Sequence, residues 1–303
     1  MTATAEFRHE AVFYAGPDAF LDHVAPFVEA GVAAGEPVMV TLEAPKLAAL
    51  KRRLGPTADQ VVFADMGEIG HNPACLIPAW QDFVAGRSGP MRGVGEPIWP
   101  GRSPDELVEC QCHEGLLNHA FAEADGFHLL CPYDSVRLDR DVIEEAERSH
   151  PWVGAVESTR YRGHDDPPPQ LSAPLAGAPG APVEHPVSRH TLPAIRAIVE
   201  EHARAAGLSE ARAGDFVLSA HEVASNTVRH GGGEGVMRIW HDDGGVVCEF
   251  LDAGRLDKPL AGRARPALDE GDGWGLWLAN QLCDLVQIRT LPDGNLVRLH
   301  LSG

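Results

Sequence analysis

The stretch Ser219-Ala-His-Glu222-Val-Ala-Ser-Asn226-Thr-Val-Arg-His230 sets a carboxylate, a carboxamide and an imidazole four residues apart in turn. At about 100° per residue, helix positions four apart lie within roughly 40° of each other. Glu222 and Asn226 therefore share a face, where an amide oxygen can ligate Mg2+ and a carboxylate can take a proton. The same spacing also decorates many solvated helices, so its meaning depends on the motifs downstream. About twenty residues on, an apolar strand ends in Asp252-Ala-Gly254, and later comes Gly271-Asp-Gly273-Trp-Gly275-Leu276.

The surroundings give these motifs a scaffold. An amphipathic helix is predicted over 192–206, ending at Gly207, and Ser209 caps the helix that carries Glu222. Val236-Met-Arg-Ile-Trp240 and Val246-Val-Cys-Glu-Phe-Leu251 alternate on either side of Asp242-Asp-Gly-Gly245, a hairpin signal. A helix over 275–283 and strands over 285–290 and 296–301, joined at Pro292-Asp-Gly294, complete the region. Helices ahead of an antiparallel or mixed sheet predict a two-layer α/β sandwich.

Upstream, Asp165-Asp-Pro167-Pro168-Pro169 opens a stretch that continues through Pro174, Pro179, Pro182 and Pro186 without hydrophobic periodicity. It reads as a semi-rigid linker over 165–186, separating a domain of residues 1–164 from one of 187–303. In the first domain, strands are predicted over 11–14, 38–42, 61–64, 91–95 and 127–131. Helices over 18–34, 45–54, 73–84, 104–123 and 139–149 alternate with them. Short, continuously apolar strands between helices predict a mostly parallel sheet covered on both faces. The first strand-to-helix turn, Tyr14-Ala-Gly16-Pro17-Asp18, carries neither GxxxxGK[ST] nor GxGxxG, so this domain is not expected to be a working ATPase.

The 303 residues carry 44 acidic and 25 basic side chains, a net charge of −19, which argues against nucleic-acid binding over a broad surface. No run of 18 apolar residues predicts a membrane span, and no basic-then-apolar leader opens the chain, so a cytoplasmic location is expected. Six cysteines without a leader do not read as a disulfide framework. Cys110-Gln-Cys112-His113 has neither a common zinc spacing nor the CxxCH of haem attachment, with Cys75 and Cys131 elsewhere, and reads as buried thiols on a helix.

Residues 8–162 resemble the MEDS sensory domain. The resemblance rests on Phe13-Tyr14 with the following Gly-Pro-Asp, and on Gly70-His-Asn72-Pro73 with Pro78-Ala-Trp80. It rests further on Glu109-Cys-Gln-Cys-His113-Glu114 with Leu117-Asn118, and on Leu130-Cys-Pro132-Tyr133-Asp134. It implies a RecA-like fold without a phosphate loop that senses an unidentified small-molecule signal. His71, His113, Glu114, Tyr133 and Asp134 are the polar residues expected near a ligand crevice, or as caps and turn-formers.

Residues 187–303 resemble the GHKL (Bergerat) ATPases, and among them the anti-sigma-factor serine kinases. The Glu222-x-x-x-Asn226-x-x-x-His230 helix resembles the N-box, Asp252-Ala-Gly254 the first glycine box and Gly271–Leu276 the second. The resemblance implies ATP and Mg2+ as cofactors. Asn226 would ligate Mg2+, Asp252 would accept from the exocyclic amine of adenine, and Gly254 would let the purine approach the backbone. Gly271, Gly273, Gly275 and Leu276 would open a helix whose free N–H groups suit phosphate. Glu222 would be the general base on a serine hydroxyl of an antagonist protein, making the chain an ATP-dependent serine/threonine protein kinase. His230 touches phosphate or caps its helix. The lid between the glycine boxes offers Lys258, Arg263 or Arg265 to the terminal phosphate, and Leu256 stands where the pattern has a second glycine. A sigma factor, the antagonist protein and a second copy of the chain as homodimer are the partners implied. A histidine-kinase-like sensor and a non-catalytic nucleotide-binding switch are the alternatives.

Overall fold

The computed structural model describes residues 6–164, 166–242, 245–266 and 273–303. The chain divides into two compact units, Met1–Pro168 and Pro169–Gly303.

The first unit runs β1 (Arg8–Tyr14), α1 (Gly16–Ala33), β2 (Val38–Leu42), α2 (Ala44–Leu54), β3 (Val62–Asp65) and α3 (Met66–Ile69). It continues with α4 (Leu76–Val84), β4 (Met91–Gly95), α5 (Pro104–Ala120), β5 (Phe127–Asp134), α6 (Arg140–Ser149), β6 (Trp152–Val153) and β7 (Val156–Glu157). The strands order as β3-β2-β4-β5-β1-β6-β7, parallel throughout except for the β6–β7 pair. All five residues of Val38-Met-Val-Thr-Leu42 are buried, as befits a strand covered on both faces. Val12, Phe20, Val24, Val28, Val40, Leu42 and Leu50 pack α1 and α2 onto one of those faces. The helix expected over 73–84 begins instead as a 3-10 turn, Pro73–Cys75, whose Ala74 N–H is capped by Asn72 Oδ1. The long helix α5 opens on a reciprocal capping box between Ser103 and Glu106 and ends at Ala120, short of the expected 123.

The second unit comprises β8 (Val183–Ser188), α7 (Leu192–Ala205), α8 (Glu210–His230), β9 (Glu234–Asp242), β10 (Gly245–Asp252), α9 (Trp274–Leu282), β11 (Leu285–Leu291) and β12 (Gly294–Ser302). Its five strands order as β11-β12-β10-β9-β8, all antiparallel. Ile195 and Val199 of α7, Phe216, Ala220 and Val223 of α8, and Leu276 and Ala279 of α9 meet Met237, Cys248, Phe250, Val286 and Leu299 in one core. The helices thus cover a single face, giving the two-layer sandwich. On the opposite face Glu249 pairs across strands with Arg238 and Arg298, and it binds Arg298 through Nε at 2.9 Å and Nη2 at 2.5 Å.

The proline-rich stretch contributes to this unit more than a spacer would. Arg298 Nη2 donates to Ala176 O at 2.7 Å, which meets a nearly buried guanidinium's need for acceptors. Residues 183–188 form β8, which carries Pro186 and pairs only with β9. Proline has no N–H to donate, and an edge strand is where a sheet tolerates it. The prolines masked this strand in the sequence.

Candidate functional site

Three elements of the second unit converge on a cleft of about 730 Å3. That volume lies within the roughly 300–1,000 Å3 typical of small-molecule sites. Asn226 and His230 reach it from the last two turns of α8, Asp252 from the end of β10, and Gly273 and Leu276 from the start of α9. Asn295, at the start of β12, closes one side.

The Asp252 carboxylate is held by three donors. Thr227 Oγ1 donates to Oδ2 at 3.0 Å, while Gly254 N–H and Asn295 Nδ2 donate to Oδ1 at 3.0 and 3.2 Å. Asn295 Oδ1 in turn accepts from Leu256 N–H at 3.1 Å, fixing the first residues beyond the strand. Thr227 and Asn295 have no place in the sequence expectations. Thr227 sits beside Asn226 and reads as one more helical residue, and Asn295 follows Asp-Gly and reads as a turn-former.

Gly254 does not line the cleft. A Cβ there would lie 2.7 Å from His230 O and 2.9 Å from Gly231 Cα, so the missing side chain makes room for the end of α8. This differs from the expectation that the space serves the purine. Because the obstructing atoms are backbone, Gly254→Ala is expected to lower the stability of the second unit by about 1–3 kcal/mol. Thermal unfolding without nucleotide would register this, and an unchanged transition would refute it.

Gly273 caps α9 with φ of +100°, a left-handed conformation that glycine adopts without strain. The N–H groups of the following turn have no intrahelical acceptor and point, with the positive end of the helix dipole, toward the helix mouth. A Cβ on Gly275 would lie 2.9 Å from Glu222 Oε2 and 3.3 Å from Asn226 Nδ2, so this glycine lets the first turn of α9 rest on α8. Gly271 lies outside the described residues. Glu222 is partly exposed and is not among the described residues lining the cleft; it sits one turn before Asn226, beside Gly275. Asn226 Oδ1 accepts a long contact, 3.4 Å, from Arg229 Nη2.

Of Lys258, Arg263 and Arg265, the first and last line the cleft, as does Arg255 of the same loop. Arg263 is buried at 2% exposure and lies instead by a small cavity with Leu171 and Ile288. The loop after β10 is tied to α9 by Asn280 Nδ2, which donates to Gly262 O at 2.9 Å. Trp274 and Trp277 meet edge to face at 5.5 Å, and the Arg265 guanidinium stands 5.7 Å from the Trp277 ring. His230 is the exposed last residue of α8 at the cleft's rim.

In the first unit, the ends of β1 and β4 carry a polar cluster. Tyr14 Oη donates to Glu96 Oε1 at 2.6 Å, and Lys46 Nζ donates to both Glu96 oxygens at 2.6 Å. Burial lifts the Glu96 carboxyl to about 7 against the pull of Lys46, and burial beside Glu96 raises the Tyr14 phenol. Of the expected crevice residues, Asp134 adjoins this cluster as the strand partner of Tyr14, and the five do not gather there as a group. His71 Nδ1 bonds Glu68 O at 2.8 Å in an exposed loop, and Asp134 Oδ1 accepts from Val136 and Arg137 N–H in a turn. His113, Glu114 and Tyr133 are buried. None of the six cysteines is in a disulfide, and Cys110 donates to Pro97 O at 3.2 Å while burial pushes its thiol up to about 12. Among the described residues no helix is long and apolar enough to cross a membrane.

Residues 8–151 match the model of the MEDS (MEthanogen/methylotroph, DcmR Sensory) domain, and residues 186–301 match that of the histidine kinase-like ATPase domain. The chain is a MEDS sensory domain followed by a histidine kinase-like ATPase domain. The second match spans the helices and sheet that build the cleft, and an ATPase domain implies ATP as its ligand. None of the curated proteins matches the sequence. Among solved structures, the chain is similar to the RsbU and RsbW domains of Rv1364c from Mycobacterium tuberculosis, at 21% identity and a TM-score of 0.31. That similarity covers 41% of this chain and 33% of the other.

Proposed function

We propose that the ATPase domain binds ATP with Mg2+ in the α8–β10–α9 cleft. In this reading it passes the terminal phosphoryl group to a serine of an antagonist protein, as an anti-sigma-factor-type serine/threonine kinase. The observation that carries the reading is the convergence of Asn226, the fixed Asp252 carboxylate and the N-terminus of α9 on one cleft. Asp252 offers an oriented acceptor to an adenine amine. Asn226 offers an oxygen to Mg2+, and α9 with Lys258 and Arg265 offers N–H groups and positive charge to the phosphates. Glu222 adjoins the first turn of α9, so a phosphate held there has a carboxylate at its side to act as general base. The MEDS domain supplies the signal-dependent control, and a sigma factor is the further partner.

Calorimetry of the full chain tests the site. Wild type is expected to bind ATP in a Mg2+-dependent way, and Asn226→Ala to bind about 10–100-fold more weakly, the effect of losing a bond to a charged group. Equal affinity for the two proteins in the presence of Mg2+, or no ATP binding by wild type, overturns the assignment. That Glu222 is not among the described residues lining the cleft favours a second reading, a nucleotide-binding switch that sequesters its partner without phosphorylating it. ATP binding without any phosphoserine on the partner would select it.

A further inference from the structure

A fully buried constellation in the MEDS domain takes no part in the nucleotide chemistry. His9 on β1, Glu114 on α5, Cys131 on β5 and His150 just after α6 are each at most 1% exposed. One ligand-type atom from each lies within 4.8 Å of all the others. His9 Nε2 is 3.0 Å from Glu114 Oε2 and 3.4 Å from Cys131 Sγ, and His150 Nε2 is 3.2 Å from the same Glu114 oxygen. A tetrahedral ion with bonds of about 2.0–2.3 Å sets its ligand atoms roughly 3.3–3.7 Å apart, close to these separations.

The second nitrogen of each ring decides what faces the centre. His150 Nδ1 stands 2.8 Å from Ala146 O, a carbonyl that can only accept, so this nitrogen carries a hydrogen. His9 Nδ1 stands 3.0 Å from Asn118 Oδ1. The amide of Asn118 is oriented by its Nδ2, which donates to Ser149 O at 2.7 Å, so its oxygen faces His9 as an acceptor. Both neutral rings therefore turn lone pairs on Nε2 toward a carboxylate oxygen. Three acceptors aimed at one point repel unless a proton or a metal ion stands among them. Charging both rings is no remedy, since their centroids are 3.9 Å apart and two imidazoliums would repel. A hydrogen bond from each histidine's outer nitrogen to a carbonyl-type oxygen is also the usual support of a metal-bound imidazole.

From this we infer that the MEDS domain holds a divalent transition-metal ion of the zinc class, bound by His9 Nε2, Glu114 Oε2, Cys131 Sγ and His150 Nε2. One thiolate and one carboxylate neutralise the ion, so the assembled centre is uncharged in an apolar interior. Two imidazoles and a thiolate suit zinc or cobalt and do not suit Mg2+ or Ca2+, which take oxygen. With four buried protein donors, the centre is of the closed kind that contributes folding energy. It ties two neighbouring parallel strands, β1 and β5, to the two helical segments packed beside them.

Metal analysis of the full-length chain, purified without chelator or affinity metal, tests the inference. About one zinc ion per chain is expected to survive gel filtration. Protein reconstituted with Co2+ is expected to show the visible bands of tetrahedral cobalt and a near-ultraviolet sulfur-to-cobalt transition. Cys131→Ser is expected to lose the sulfur transition, and Asn118→Ala to weaken metal binding about 10–100-fold. Should Cys131→Ser fail to fold, the sulfur transition in wild type alone decides. Folded wild-type protein that takes up neither Zn2+ nor Co2+ stoichiometrically, or a cobalt spectrum indifferent to Cys131→Ser, overturns the site in favour of a proton-held polar network.

Discussion

Asp252→Ala is expected to abolish measurable ATP binding and, separately, to destabilise the second unit by about 2–4 kcal/mol in the absence of nucleotide. The two effects have different origins. In this reading the carboxylate is the acceptor that recognises the purine amine, and a site built to hydrogen-bond a ligand group discriminates strongly through it. It is also the acceptor for Thr227 Oγ1, Gly254 N–H and Asn295 Nδ2, which join α8, the loop after β10 and the start of β12. Each such bond to a charged group contributes about 1.5–3 kcal/mol, but partial exposure lets water replace some of it, so the sum is discounted. Asp252→Asn separates the two roles. It is nearly isosteric and keeps an acceptor oxygen, yet its NH2 group opposes one of the donors. It is expected to retain more stability than alanine while still losing ATP. Urea unfolding followed by the second unit's own tryptophans, with parallel calorimetry, would measure both. If Asp252→Ala binds ATP as wild type does, the purine lies elsewhere.

The sequence spoke clearly where one residue type answers to one local rule. The period-3.6 pattern and Ser209 placed α8, and in the structure Ser209 Oγ accepts from Arg212 N–H at 3.3 Å. Continuous apolar runs located β1 to β5, because a parallel strand covered on both faces has little polar surface to show. What escaped depended on partners distant in the chain. Strand β8 was hidden by Pro186 and the prolines before it, and β6 and β7 are two residues each, too short for a period to register. The roles of Thr227 and Asn295 arise only when β10 brings Asp252 between them. Gly254 was read for its openness to a ligand, yet it is the end of α8 that occupies the space. The buried His9–Glu114–Cys131–His150 group shows the same limit. Its members are separated by up to 141 positions, and Cys110-Gln-Cys112-His113 drew attention to neighbours of Glu114 that take no part in it.

Glu222→Gln is the substitution that decides between kinase and switch, and the kinase reading gives it the largest kinetic effect of any single change. Removing a general base from phosphoryl transfer is expected to slow the reaction by about 10²–10⁴-fold, or about 3–5 kcal/mol of transition-state stabilisation. Glutamine keeps the size of the side chain that rests on Gly275, so the contact between α8 and α9 survives. Alanine would leave a gap there and confuse loss of a base with loss of packing. Affinity for ATP with Mg2+ should hold or rise slightly, because a negative charge beside the phosphates has been removed. Asn226→Ala has the opposite signature, weakening binding itself, so the pair of variants separates proton acceptor from metal ligand on one helix face. Transfer of labelled terminal phosphate from ATP to the antagonist protein supplies the rate, and calorimetry the affinity. A rate unchanged in Glu222→Gln would remove the base role. The absence of transfer by a wild type that binds ATP would leave Glu222 as the side chain that seats α9, and the domain as a switch.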